Sequence, residues 1–114
     1  MLRPFLPSRD YSLSQRFYKD LGFSVEGGAG NVAVMTDGAC SFLLQDFYVK
    51  DLAENLMVQL VVSDLDAWWR ERDPASVAVK FGSRQPVAPA MQPWGRKVGF
   101  IHDPCGVLWH VTEA

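Results

Sequence analysis

The sequence predicts a single α+β domain built from two βαβββ modules in tandem. Two observations point to it: a strand-then-helix pattern that occurs twice, and period-two alternation in the runs that follow each occurrence. The first copy begins with Phe5-Leu6-Pro7-Ser8-Arg9-Asp10, a short apolar run closing on an aspartate. Leu13, Phe17 and Leu21 then recur every four residues, with Asp10 as an N-cap and Gly22 as a natural stop. The second copy is Met57-Val58-Gln59-Leu60-Val61-Val62-Ser63-Asp64, followed by a helix over 65–72 that Asp73-Pro74 ends.

Strand signals follow each helix. In the first module they cover 23–26, 31–36 and 40–46, with Gly27-Gly28-Ala29-Gly30 and Asp37-Gly38 as the turns between them. In the second they cover 77–81, 97–102 and 107–112, with 82–95 as a long proline-bearing loop and Asp103-Pro104-Cys105-Gly106 as the last tight turn. Residues 47–55 read as a linker, which sets the modules at about 1–47 and 56–114 within one domain, 1–114. Alternation places Val107, Trp109 and Val111 on one face of the last strand and Leu108, His110 and Thr112 on the other. A sheet with helices on one side then leaves a mixed apolar and polar face on the other.

Composition narrows the function. At 114 residues the chain buries roughly two-thirds of its unfolded surface, enough for one core. Eleven Lys and Arg against thirteen Asp and Glu supply no basic stripe for a phosphate backbone, so nucleic acid is not an expected partner. Apolar runs break well short of the roughly 20 residues that span a bilayer, and the first ten residues carry prolines and charges where a secretory signal is apolar. The expectation is a soluble, cytoplasmic protein without a membrane partner. Cys40 and Cys105 fit no zinc spacing and read as reduced thiols. Glu26, Glu54, Glu71 and Glu113 form no acid/base pair, and no Ser/His/Asp order is present.

Pro7-Ser8-Arg9-Asp10, Phe17-Tyr18-Lys19-Asp20-Leu21-Gly22-Phe23, Gln92-Pro93-Trp94-Gly95-Arg96 and Asp103-Pro104-Cys105-Gly106 together resemble the vicinal-oxygen-chelate superfamily. That superfamily includes glyoxalase I, extradiol dioxygenases and the bleomycin-resistance proteins, and the resemblance is strongest to the last. It implies a curved, U-shaped mixed sheet with helices on the convex side, often completed in a homodimer. Catalytic members hold a divalent ion at inward positions on the first and last strands of each module. Counting from the caps and turn glycines, those positions here are Arg3, Phe42, Met57 and His110. Arg is a permanent cation, Phe cannot ligate and Met is too soft for a site of this kind. The resemblance therefore implies no metal, no cofactor and no assigned catalytic residue.

The reading is a metal-independent small-molecule binder, similar to the antibiotic-resistance branch, that sequesters a bulky aromatic or cationic ligand. The alternative is a metal-dependent glyoxalase-like lyase or dioxygenase-like enzyme using His110. Arg3, Phe5, Phe42, Leu44, Met57, Gln59, Leu108 and His110 are placed on the concave faces, with loop Trp94 at the mouth. Arg3 needs a carboxylate partner, a bound anion or open solvent. Trp109 reads as core, and of the adjacent Trp68 and Trp69 only one can share the core face.

Overall fold

A computed structural model describes residues 1–114. Strand β1 (Phe5–Pro7) leads into helix α1 (Tyr11–Asp20), and strands β2 (Ser24–Ala29), β3 (Val32–Thr36) and β4 (Ser41–Gln45) complete the first module. A short helix α2 (Lys50–Asn55) crosses to β5 (Met57–Val62), followed by helices α3 (Leu65–Arg72) and α4 (Pro74–Phe81) and strands β6 (Val87–Met91), β7 (Lys97–His102) and β8 (Leu108–Glu113). The first four strands form one sheet in the order β1-β4-β3-β2 and the last four repeat it as β5-β8-β7-β6. In both, the first strand pairs in parallel with the last and the remaining neighbours are antiparallel. The paired-module reading is therefore the observed architecture. No helix is long and apolar enough to cross a membrane.

The caps act as the sequence predicts. The Asp10 carboxylate accepts from Leu13 N at 3.1 Å and the Asp64 carboxylate from Ala67 N at 3.0 Å, each satisfying one otherwise orphaned donor. Four readings are corrected. Residues 77–81 are not a strand but the body of α4: Pro74 does not end the helical region, it opens a new helix after Asp73 turns into the left-handed region at φ 47°. Val77 and Ala78 are buried and Phe81 packs on the core, while Val79 is 74% exposed, which is a helical rather than an alternating pattern. The stretch 82–95 is not one long loop, because it contains β6; Pro89 is tolerated there since β6 is an edge strand with a register shift between Val87 and Ala90.

Gly27, Gly28 and Ala29 belong to β2 rather than to a turn, with a bulge between Val25 and Gly27 and the reversal at Gly30 and Asn31. The linker 47–55 contains α2, a six-residue helix with no side-chain cap and little sequence signature.

One core of 19 buried residues runs through both modules. At its centre Tyr18 and Phe42 lie 4.9 Å apart, Phe42 and Trp109 5.4 Å, and Phe23 and Trp109 5.7 Å, in edge-to-face and tilted pairs. Each such pair contributes about 0.5–1.5 kcal/mol beyond its area. Trp109 and Trp68 are core, and Trp69 lies over β7, where a Cβ on Gly99 would sit 2.4 Å from its ring. Trp109 Nε1 donates to Tyr18 Oη at 3.0 Å, Tyr18 Oη donates to Asp103 Oδ2 at 2.6 Å, and Asp103 Oδ1 accepts from Cys105 N and Val107 N at 3.0 and 2.9 Å. This buried chain ties α1 of the first module to the last turn of the second.

Candidate functional site

Strand register decides which side chains share a face. Phe5 pairs with Leu43 on β4, Met57 with Leu108 and Gln59 with His110, and His110 in turn faces Phe100 on β7. These residues point away from the helices. Phe5 is 55% exposed, Met57 62% and Val61 52%, so this open face carries apolar surface that nothing in the chain covers. Only toward the start of β7 does it close, where Val98 and Thr112 are buried.

Phe42 and Leu44 do not belong to this face, which corrects their sequence placement. Both are buried on the helix side, Leu44 completely, in the same layer as Leu6, Met35 and Trp109. The error is a one-residue slip. The β3–β4 turn has four residues between the paired Thr36 and Ser41, whereas the β7–β8 turn has five between His102 and Leu108. Counting from Gly38 and Gly106 ignores that difference, and a shift of one reverses the face. The position matching His110 is Leu43, which sits opposite Phe5 as His110 sits opposite Gln59. Leu43 and Phe100 are the residues the sequence reading missed; the relative turn lengths were the signal.

Arg3 lies just before β1, exposed, so of the three ways to satisfy it the structure provides solvent, and its Nε also donates to Ser41 Oγ at 3.1 Å. Trp94 stands 60% exposed at the tip of the β6–β7 hairpin. Between the two sheets lies a small apolar cavity of about 180 Å³ whose walls include Leu2, Phe42, Val58, Gln59 and Trp109. Phe42 thus reaches the site only as the wall of this seam. His110 is half-buried, its ring edge-on to Phe100 at 4.8 Å, and its Nε2 is buried without a hydrogen-bond partner. A buried unsatisfied nitrogen costs about 1–3 kcal/mol, which a ligand group can return.

The donor set does not fit a divalent ion. Nowhere do three or more His, Cys, Asp or Glu side chains gather, and His110 has Gln59 and Phe100 as its strand neighbours. Neither cysteine thiol is activated. Partial burial and the Asp37 carboxylate push the Cys40 thiol up to about 11, and burial with Asp103 pushes Cys105 up to about 12.

No family model matches the sequence, and no curated protein does. Solved structures do. A bleomycin-binding protein complexed with bleomycin is 25% identical with a TM-score of 0.84, covering 100% of this chain and 98% of that one. A bleomycin resistance determinant encoded on the transposon Tn5 is 23% identical with a TM-score of 0.80, covering 99% and 96%. The bleomycin-binding protein from bleomycin-producing Streptomyces verticillus, complexed with copper(II)-bleomycin, is 22% identical with a TM-score of 0.78, covering 100% and 97%. The fold defines a paired-module α+β protein with one open sheet face per module. With these likenesses, it places the chain in the vicinal-oxygen-chelate superfamily, beside the bleomycin-binding and bleomycin-resistance structures.

Proposed function

We propose that the protein is a metal-independent small-molecule binding protein that sequesters a bulky aromatic or cationic ligand on the open sheet faces, within a homodimer. The observation that carries this is the second module's open face: Met57 and Val61, each more than half exposed, lie on the face that also holds the unpartnered Nε2 of His110, and the exposed Phe5 stands on the matching face of the first module. Apolar walls with few polar anchors suit a planar ligand, and aromatic faces attract cations. Gln59 and His110 supply hydrogen bonds that fix orientation. Trp94, at its hairpin tip, is the aromatic side chain free to stack on a ligand from outside the sheet. A second copy covers apolar area that one copy leaves in water. The likeness to proteins solved with bleomycin supports this ligand class.

The test is calorimetric titration of metal-free bleomycin and of a simple planar aromatic cation, with and without a chelator, alongside mass measurement by light scattering. Saturable binding that survives the chelator, weakens in His110→Ala and accompanies a two-chain mass supports the reading. No heat at millimolar ligand, or binding that the chelator abolishes, overturns it.

A further inference from the structure

Away from the open faces, among the helix ends, lies a groove that the binding site does not use. Its larger lobe, about 480 Å³, is lined by Arg9, Glu54, Ser83, Arg84 and His102 among others. A second lobe of about 340 Å³ includes Ser14 and shares Arg9, Gly82, Pro104 and Cys105 with the first. Neither guanidinium has a carboxylate partner: the chain's three ion pairs are Arg72–Glu71, Lys80–Asp20 and Lys97–Asp66. Arg9 leans only on the Tyr48 ring, 5.7 Å from its centroid.

The acidic groups at the groove are mostly committed. Asp10 caps α1, and Asp103 is taken up by Tyr18 and two backbone N–H groups, which leaves Glu54 as the one uncommitted carboxylate. Two hydroxyls are buried without any partner, Ser14 Oγ and Ser83 Oγ, and Ser14 is 0% exposed. A helical serine hydroxyl either reaches solvent or back-bonds to the carbonyl four residues earlier. The buried Ser14 hydroxyl does neither: the Asp10 carbonyl accepts the Ser14 N–H at 2.9 Å, the ordinary helical bond, and the hydroxyl has no partner.

We propose that this groove binds a small oxyanion, the phosphate or carboxylate end of a small acidic molecule, held by the forked donors of Arg9 and Arg84 and by the Ser14 and Ser83 hydroxyls. Guanidinium forks match carboxylate and phosphate geometry, and a buried hydroxyl without a partner is returned its hydrogen bond by an acceptor. His102 reports on the site. Burial first, and Arg84 second, hold its proton affinity below the ordinary 6.5, so it is neutral at pH 7 and feels any anion placed beside Arg84.

The experiment follows the His102 and His110 ring resonances by NMR while the wild-type protein is titrated with inorganic phosphate, acetate or chloride at constant ionic strength. The expected result is a saturable shift of His102 alone, with its pKa rising by about one unit in phosphate. Acetate acting as strongly as phosphate marks a carboxylate site; phosphate acting alone marks a phosphate site. Arg84→Gln raises the His102 pKa in the absence of anion and removes the phosphate response. Ser14→Ala keeps or raises the thermal midpoint, since it deletes an orphaned group, yet weakens phosphate binding several-fold. A His102 response that is linear, or equal in chloride, overturns the proposal even if Arg84→Gln does not fold. His110 lies on the open face, so a response there without one at His102 speaks for the sheet-face ligand site and against this one.

Discussion

Replacing Tyr18 by Phe removes one oxygen and breaks two buried hydrogen bonds. The first is a charge-assisted bond of 2.6 Å to the Asp103 carboxylate, of a kind that contributes about 1.5–3 kcal/mol. The second is the acceptor for Trp109 Nε1 at 3.0 Å; Trp109 is 6% exposed and Tyr18 0%, so water does not reach the indole N–H and leaving it bare costs about 1–3 kcal/mol. The rings keep their packing, because Phe preserves the edge-to-face contacts with Phe17, Phe23 and Phe42. The sum is about 2.5–6 kcal/mol, a large share of the 5–15 kcal/mol typical of a domain. At roughly 4 °C per kcal/mol for a chain of this size, the thermal midpoint falls by about 10–24 °C. Urea unfolding measures the loss directly, and the Trp109 indole proton gives a local readout through faster exchange with solvent. A loss under about 1 kcal/mol, with the indole proton still protected, would falsify the latch between the modules, since it would mean the two groups find other partners at no cost.

Two further outcomes follow from the same core. Burial raises the Asp103 pKa above its ordinary 3.8, and the hydrogen bonds from Tyr18 and from the Val107 and Cys105 backbone only partly pull it back. A carboxyl raised in the native state binds its proton more tightly when folded. Its contribution is therefore complete below pH 3.8 and is lost as the pH climbs through the raised native value. Unfolding free energy measured across that window falls less with rising pH in Asp103→Asn than in the parent; identical slopes would refute the assignment. Gly99→Ala drives a methyl to 2.4 Å from the Trp69 ring, forcing α3 or β7 to shift at a cost of about 1–3 kcal/mol in urea unfolding; an unchanged midpoint would show that Trp69 rotates away freely.

Much of the fold was legible because its signals are local. An aspartate followed by apolar residues at helical spacing needs nothing distant to make α1 or α3 start where they do. The misreadings arose where tertiary context decides. Val77, Ala78 and Val79 suit a strand in isolation, but Pro74 at the first helical position and a left-handed Asp73 turn them into α4. That displaced the predicted strand and hid β6, an edge strand whose Pro89 and bulge weaken every strand signal. The site was less legible than the fold for a geometric reason. Met57, Gln59, Leu108 and His110 were placed on one face correctly because their strands pair without a gap. Phe42 and Leu44 were not, because a single residue of turn length, invisible to a motif count, reverses their side of the sheet.

The motif residues explain why resemblance identified the fold more firmly than the ligand. Tyr18 and Asp103, from two of the segments that carried it, are partners in one buried hydrogen bond, with Trp109 donating behind them. None of the three points onto the open face, where His110, Gln59, Phe5 and Met57 stand. Those motifs therefore specify how helix α1 of one module locks onto the last turn of the other, and they do so whatever the open face holds. The open-face side chains on which the proposed binding rests take no part in the latch, so they can change without disturbing it. Two chains sharing the latch share the scaffold, and sharing the scaffold does not make them share a guest.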